Sequence, residues 1–485
     1  MNFPKFKKKF ILVLLVFVFS NNLHVFSYAE ETVEIHAEAC ILGEVSTGKI
    51  IYSKNADKKM YPASMTKILT ALVSLDYYDY DSLITVGDEI NSIPYDSSKA
   101  GHTRGETLSV LNLMRGLIIP SGNDTSAVIA SAVAKKVSGN SSLNYTQDEQ
   151  IFAKLMNEKA KALGATNSNF VNPHGYHDEN HYSTANDIFK ISQAFAKNST
   201  LMEIAGETLY SGLGADESLT GESSLIIKNY YWETHNLLLS DGEYKYEYAT
   251  GIKTGFTDEA GDCLVASAKK DGVELIAVIF NSEDPNRWID AKTLFNYGFN
   301  NYEFKTVDSY GNTLDNVKLT NQEKDYPDNI DIEVRKKVLL FLSDEEFSKL
   351  ERKMVYSSDY IYVPEEGEDL VKNDNTGKDV TLKAPIDKYN PVGTVQYVLN
   401  NNILHEEPVY AKQSVPEKVE KSIIDILKGF LKNIFTVKGF LMFIISLLAL
   451  TVIFLIIASI IKRIIHNRRN RHKRLKYAYR IKKKR

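Results

Sequence analysis

Cysteine is scarce in this sequence, where only Cys40 and Cys263 occur among 485 residues. That count excludes a disulfide framework, and because both cysteines lie in apolar, strand-like runs we expect two buried free thiols. The 12 prolines and 26 glycines exclude a collagen-like chain, and an apolar fraction of 44% excludes a fully disordered one. The length predicts about two or three domains.

Acidic residues are missing from both ends of the chain. Four lysines lie in the first nine residues and thirteen basic residues lie between Lys462 and Arg485, with no Asp or Glu in either segment. The remaining 41 basic residues accompany all 62 acidic ones, so the body between the ends carries a net charge of −21 although the whole chain carries −4. An acidic body argues against a nucleic acid substrate, because phosphate binding needs a basic surface.

The two ends predict export and membrane attachment. Residues 1–29 have a basic cluster, a short apolar run and a small-x-small ending, which is typical of a signal peptide; an uncleaved anchor is the alternative. Residues 439–461 carry no charge and are long enough to cross a hydrocarbon core of about 30 Å. The basic tail, 462–485, then favours a cytoplasmic C-terminus with the body outside the cell membrane. Such a tail could also bind nucleic acid, but attraction to anionic lipid of the bilayer is favoured.

The body between the ends divides by pattern. Residues 30–300 have strands at both ends and several helices between them, which predicts an α+β domain with one sheet packed by helices. The helices are predicted at roughly 64–77, 107–118, 124–137, 149–163 and 184–196. Residues 301–413 alternate short strand-like runs, such as 338–341, 354–356, 360–363 and 395–399, with turn residues. This pattern predicts a small all-β sandwich with an Asn- and Asp-rich linker near 366–378. Residues 414–436 form an amphipathic pattern for a helix in the membrane interface, the alternatives being a stalk or a helix packed on the body.

Three short motifs carry candidate chemistry. In Ser64-Met-Thr-Lys67 the lysine lies one helical turn from the serine, where it can remove the hydroxyl proton, and Ser64 at the helix N-terminus offers an unpaired N–H to an oxyanion. Ser121-Gly-Asn123 places a hydroxyl and an amide in a turn between helices, and Lys253-Thr-Gly255 can present an ammonium and a hydroxyl to a carboxylate at a strand edge. The motif spacings recur at Ser46-Thr-Gly-Lys49, in a hairpin turn, and at Ser138-Gly-Asn140, at a helix end. Context therefore favours the first set.

In this order the three motifs resemble the signature of serine-type D-alanyl-D-alanine carboxypeptidases, the low-molecular-mass penicillin-binding proteins. The middle triplet has Gly122 where class A β-lactamases have Asp, which favours the carboxypeptidases. Further similar stretches are Phe170-Val-Asn-Pro-His-Gly175 and His181-Tyr-Ser-Thr-Ala185, and Leu382-Lys-Ala-Pro-Ile386 resembles that family's C-terminal β domain. The resemblance implies a β-lactamase/transpeptidase-like serine peptidase fold over residues 30–300, no cofactor, and peptidoglycan stem peptides ending in D-Ala-D-Ala as substrate.

The resemblance also implies roles for the motif residues. Ser64 forms an acyl-enzyme, Lys67 is the general base, and Ser121 relays a proton to the leaving amine with help from Lys253. Asn123 holds the acyl-side amide.

On the same grounds Thr254 and Lys253 bind the terminal carboxylate, Gly255 lets the substrate backbone approach, and the N–H groups of Ser64 and Phe256 form the oxyanion hole. β-Lactam antibiotics would act as covalent inhibitors.

Three alternatives remain at the level of sequence. The first is a β-lactamase of the same fold, although the loop at Asn172-Pro-His-Gly175 lacks the glutamate that class A enzymes use for deacylation. The second is a zinc peptidase, because His174, His177 and His181 are closely spaced; yet Asp178 stands where the helical zinc motif has glutamate, so we expect no metal. The third is a non-catalytic penicillin-binding scaffold.

Overall fold

The computed structural model describes residues 33–214, 228–363, 380–418, 423–434 and 437–482. The predicted signal peptide and the predicted linker at 366–378 lie outside the described residues, as does part of the predicted amphipathic helix. The chain forms two units, one of residues up to Val307 with Val338–Leu350, the other of Asp308–Lys337 with the residues from Glu351 onward.

The first unit contains strands and helices in alternation. Its strands are β1 (Ala39–Glu44), β2 (Ile50–Lys54), β3 (Leu83–Thr85), β4 (Thr107–Ser109), β5 (Leu209–Leu213), β6 (Asn229–Glu233), β7 (Ala249–Thr257), β8 (Gly261–Lys270), β9 (Val273–Ser282), β10 (Glu303–Asp308) and β13 (Val338–Leu342). Its helices are α1 (Lys67–Leu75), α2 (Val110–Ile118), α3 (Asn123–Ser138), α4 (Tyr145–Ala162), α5 (Ala185–Ala196), α6 (Ser199–Gly206), α7 (Asn286–Asn301) and α8 (Asp344–Ser348), with 3-10 turns at Ala63–Thr66 and Asp88–Ser92.

One antiparallel sheet forms the centre of this unit, with strand order β2-β1-β9-β8-β7. All six residues of β1 are buried, because alternate side chains pack into apolar clusters on the two faces of the sheet. Cys40 belongs to the cluster that contains Trp288 of α7, whereas Cys263 belongs to the cluster around the other helices. Both cysteines are buried and free, as predicted, and the α+β fold class is confirmed.

The predicted helices differ from the observed ones mainly at their starts. Residues 107–109, predicted as helix, instead pair with Leu83–Thr85 as β4, and the helix begins after Ser109, whose side chain accepts a hydrogen bond from the Asn112 amide. The helices α6 and α7 were not predicted.

The second unit contains a six-stranded sheet with order β14-β16-β17-β12-β11-β15. Its strands are β11 (Thr313–Thr320), β12 (Asn329–Val334), β14 (Glu351–Tyr356), β15 (Thr381–Lys383), β16 (Pro391–Leu399) and β17 (Asn402–Ala411). The predicted strand at 360–363 is reduced to a single bridge between Ile361 and Leu382. The all-β character of this region is confirmed.

Two helices follow the second sheet, α9 (Ile423–Ile434) and α10 (Val437–Lys482). Within α10, residues Lys438–Asn470 are long and apolar enough to be a candidate membrane span. At about 1.5 Å per residue the 46 residues of α10 are longer than a hydrocarbon core requires.

Candidate active site

Ser64 lies in the 3-10 turn Ala63–Thr66, which leads directly into α1 at Lys67. Ala63 has a φ of +46°, a left-handed conformation that costs a non-glycine residue about 1–2 kcal/mol. The strained residue Ala63 therefore directly precedes Ser64, at the start of a buried helix. We refer to residues 63–67 as the nucleophile turn, after the role predicted for Ser64.

Three oxygen atoms surround the Lys67 amine. Its Nζ lies 2.7 Å from Ser64 Oγ, 2.6 Å from Asn123 Oδ1 and 2.9 Å from the His174 carbonyl oxygen. The side chain of Lys67 is fully buried, so water does not compete for these contacts. The first and second motifs therefore meet at one nitrogen atom.

Burial and a neighbouring charge lower the pKa of Lys67. Desolvation is the largest cause of a pKa well below the usual lysine value; the positive charge of Lys253 acts in the same direction, and Asp124 opposes it. Burial, followed by the charge of Arg287, lowers the pKa of Lys253 to about 7. Burial and mutual repulsion therefore favour a state in which one of these two buried lysines is neutral.

The second motif follows α2 in a tight turn. Ser121 is buried and has a φ of +60°, and Asn123 is the first residue of α3. A side chain at Gly122 would lie 2.8 Å from the Gly116 carbonyl oxygen and 2.6 Å from Thr125 Oγ1. The turn therefore requires glycine here and has no room for the aspartate of the β-lactamase triplet.

Asp124 fixes the segment that faces this turn. Its carboxylate accepts hydrogen bonds from the backbone N–H groups of Ala100, Gly101 and His102 at 2.7–3.0 Å. It also accepts one from the Thr125 N–H at 3.0 Å. Asp124 is 3% exposed, so these bonds satisfy a buried charge and hold the second motif rigid.

The third motif lies on β7, at the edge of the central sheet. Lys253 and Thr254 are buried, and Phe256 is exposed. A Cβ at Gly255 would lie 3.1 Å from both Ser64 N and the Pro62 carbonyl oxygen. The strand therefore passes directly beside the nucleophile turn, and all three motifs converge.

The two repeated spacings lie in structural turns. Ser46 Oγ donates to the Glu44 carboxylate, while Lys49 Nζ contacts Glu346 Oε2 at 2.5 Å and the Phe341 carbonyl oxygen at 2.9 Å. Gly139, with a φ of +65°, ends α3 as the predicted C-cap. In both cases the neighbouring sequence correctly indicated that the repeated spacing lies in an ordinary turn.

The closely spaced histidines point to different partners. His181 and His174 each accept a backbone N–H at Nδ1, from Val171 and Tyr176 respectively, and His177 lies edge-on to the Tyr61 ring. In the part of the chain that the structure describes, no group of three His, Cys, Asp or Glu side chains could hold a metal ion. These histidines instead bind the loop to itself and to the nucleophile turn.

Sequence reasoning missed three residues of this site. Asp124 binds backbone N–H groups beside the second motif, His174 contacts Lys67 through its carbonyl oxygen, and His181 contacts Thr66 through its ring. The adjacency of Asp124 to Asn123 was the one available signal, since the histidine contacts depend on how a loop returns to the helix.

Both units resemble known proteins. The D-alanyl-D-alanine carboxypeptidase family, Peptidase_S11, matches residues 26–284, and the penicillin-binding protein 5 C-terminal domain matches residues 302–417. The D-alanyl-D-alanine carboxypeptidase DacF of Bacillus subtilis is 30% identical over 386 residues, covering 78% of this chain and 86% of that protein. DacC of Escherichia coli is 28% identical over 402 residues, covering 80% and 87%.

Among solved structures, penicillin binding protein 5 from Haemophilus influenzae aligns with a TM-score of 0.57 at 24% identity. The alignment covers 79% of this chain and 98% of that one. At this level of identity the likeness supports the fold.

Proposed function

The chain belongs to the D-alanyl-D-alanine carboxypeptidase family of serine peptidases, and we propose that Ser64 is its nucleophile and Lys67 its general base. The protein is accordingly a carboxypeptidase of the low-molecular-mass penicillin-binding class. The observation that carries the proposal is the 2.7 Å contact between Lys67 Nζ and Ser64 Oγ in a site where the pKa of Lys67 is lowered.

The proposed reaction has two halves. Lys67 accepts the Ser64 proton as Oγ attacks the carbonyl between the two D-alanines, forming a C–O bond and a tetrahedral oxyanion that the N–H groups of Ser64 and Phe256 stabilise. The C–N bond then breaks as Ser121, assisted by Lys253, passes a proton to the leaving amine. Water hydrolyses the ester and regenerates Ser64.

The remaining site residues hold the substrate. Asn123 binds the amide on the acyl side while its Oδ1 also fixes Lys67. Lys253 and Thr254 bind the terminal carboxylate, and Gly255 leaves room for the substrate backbone beside the nucleophile turn. The substrate is a peptidoglycan stem pentapeptide, and no cofactor takes part.

Mass spectrometry of the full-length protein after penicillin treatment tests the nucleophile. We expect one adduct on Ser64, which Ser64→Ala removes together with carboxypeptidase activity on a D-Ala-D-Ala peptide. Ser46→Ala is the matched control, because it belongs to the repeated spacing and should leave both unchanged. Persistent labelling or activity in Ser64→Ala contradicts the proposal.

The fate of the adduct separates a carboxypeptidase from a β-lactamase. The loop at Asn172-Pro-His-Gly175 offers Lys67 a backbone carbonyl and contains no glutamate to activate water. We therefore expect slow release of penicillin, measured as a labelled protein that persists for many minutes after free antibiotic is removed. Rapid steady-state β-lactam hydrolysis would favour the β-lactamase, and a chain that never acylates would favour a scaffold.

We also propose the arrangement of the chain at the membrane. Residues 1–29 are the signal peptide, 30–300 the catalytic domain, 301–413 the β domain, 414–436 an interfacial helix, 439–461 the span and 462–485 a cytoplasmic tail. The candidate span in α10 and the basic residues after it support this topology. A C-terminal epitope should resist protease added to intact protoplasts and be lost only after permeabilisation. Loss of the epitope from intact protoplasts would indicate the opposite orientation.

A further inference from the structure

The loop of residues 171–181, here called the histidine loop, is attached to the nucleophile turn and α1 at several points. Thr70 Oγ1 donates to the Pro173 carbonyl oxygen at 2.6 Å, and Lys67 Nζ donates to the His174 carbonyl oxygen at 2.9 Å. Gly175 packs so tightly that a Cβ would lie 1.8 Å from the Ala63 carbonyl oxygen. The loop therefore supplies one of the three oxygen atoms around the proposed general base.

His181, the last residue of the histidine loop, forms hydrogen bonds with both its nitrogen atoms. Its Nδ1 lies 3.2 Å from the Val171 amide nitrogen, and its Nε2 lies 2.8 Å from Thr66 Oγ1. Because the Val171 N–H can only donate, Nδ1 must accept, so the proton is on Nε2 and is donated to the Thr66 hydroxyl. One imidazole thus ties the two ends of the histidine loop together and to the residue before Lys67.

The surroundings keep this imidazole neutral. His181 is 2% exposed, and burial lowers its pKa to about 3, with Asp178 opposing that shift and His177 adding to it. The Phe170 ring lies edge-on to it. Both ring nitrogens therefore keep the same hydrogen bonds throughout the neutral pH range.

We propose that His181 is a positioning residue for the acylation step, holding Thr66 and the histidine loop so that the Lys67 amine stays aligned on Ser64. The proposal rests on the proposed function, in which Ser64 is the nucleophile. Thr66 is fully buried, so without His181 its hydroxyl loses this partner and the turn can shift. A shift of about 1 Å at a reacting group can cost roughly 100-fold in rate.

Side-chain substitutions can separate the two bonds of His181. In His181→Gln the amide nitrogen reaches the position of Nε2 and can still donate to Thr66, whereas in His181→Asn the amide oxygen replaces Nδ1 and the bond to Thr66 is lost. Thr66→Val removes the same bond from the other side and retains the imidazole and the side-chain shape. His405→Asn, in the second unit, is the control substitution.

The experiment measures acylation of the full-length detergent-solubilised protein by a fluorescent penicillin, resolved into an acylation rate constant and an apparent dissociation constant. We expect the rate constant to fall about 10- to 100-fold in His181→Asn and in Thr66→Val, with the dissociation constant nearly unchanged. The double variant should be no slower than either single one, because both remove one bond. His181→Gln should stay within about threefold of the wild type, and His405→Asn should match it.

Several outcomes overturn the inference. The hydrogen bond between His181 and Thr66 would not position the turn if the double variant lost the product of the two single losses in acylation rate constant. The same conclusion would follow if His181→Gln and His181→Asn lost equal amounts, or if Thr66→Val acylated at the wild-type rate. A purely structural role would lower the melting temperature and the fraction of protein labelled, while leaving the rate constant of the labelled fraction unchanged. A wild-type protein without a Ser64 adduct would instead overturn the proposed function itself.

Discussion

Gly175→Ala should damage acylation far more than a comparable substitution elsewhere. Gly175 has a φ of +82°, and an added Cβ would lie 1.8 Å from the Ala63 carbonyl oxygen and 2.9 Å from Thr66 Oγ1. Since ordinary carbon–oxygen contacts are about 3.3 Å or longer, the loop and the nucleophile turn must separate by roughly 1.5 Å. A misplacement of that size corresponds to a loss of about 100-fold in the acylation rate, or about 2.7 kcal/mol.

Gly272→Ala is the matched control for this substitution. Gly272 has a φ of +84° and no atom within 4 Å of an added Cβ, so it bears only the backbone cost of about 1–2 kcal/mol. Both variants should therefore lose a similar amount of stability from the backbone, while only Gly175→Ala loses acylation. Fluorescent penicillin kinetics and thermal unfolding of the full-length protein measure the two effects. Equal acylation rates in the two variants would refute the view that the histidine loop holds the turn.

Three further predictions concern charge and metal. Lys253→Met removes the positive charge that lowers the pKa of Lys67, so the rising acid limb of the acylation rate should move to higher pH. The falling limb, which we expect near pH 7 as Lys253 loses its proton, should disappear; an unchanged pH profile would contradict this. Asp124→Asn disrupts the acceptors for four backbone N–H groups, so it should destabilise the protein by about 2–4 kcal/mol in thermal or chemical unfolding. Because the charge of Asp124 raises the pKa of Lys67, the acid limb of the acylation rate should also move to lower pH in this variant. Treatment with a chelator should leave carboxypeptidase activity unchanged, and activity that is lost and then restored by zinc would revive the metallopeptidase alternative.

The convergence of the three motifs could be predicted because each depends on side-chain identity at fixed local spacing. Ser64 and Lys67 share a helical face by their separation alone, and the surrounding apolar residues distinguish them from Ser46 and Lys49. The buried strand β1 and the C-cap at Gly139 were likewise visible as local patterns. Local patterns were therefore sufficient to identify the proposed nucleophile and general base.

The supports of the site could not be predicted in the same way, because they act through backbone atoms. Asp124 binds three consecutive N–H groups more than twenty residues away, and Lys67 contacts the carbonyl rather than the ring of His174. Every residue other than proline has both of these backbone groups, so residue type does not indicate which N–H or carbonyl groups will bind the site side chains. The close approach of Gly175 to Ala63 depends on a loop returning over a hundred residues later, for which the sequence offers only a glycine.

The protonation of the two lysines follows from their neighbours. An ammonium at Lys67 could donate to all three oxygen atoms around it, whereas a neutral amine donates to Asn123 Oδ1 and the His174 carbonyl and leaves its lone pair for the Ser64 hydroxyl proton. In the neutral form the hydroxyl proton therefore already points at the base. The Nζ of Lys253 donates instead to the Thr254 carbonyl oxygen at 3.1 Å. Because the charge of Lys253 lowers the pKa of Lys67 and a neutral Lys67 can accept the Ser64 proton, we expect Lys67 to be the lysine that loses its proton. Below a pH of about 7, Lys253 then carries the positive charge proposed to bind a substrate carboxylate.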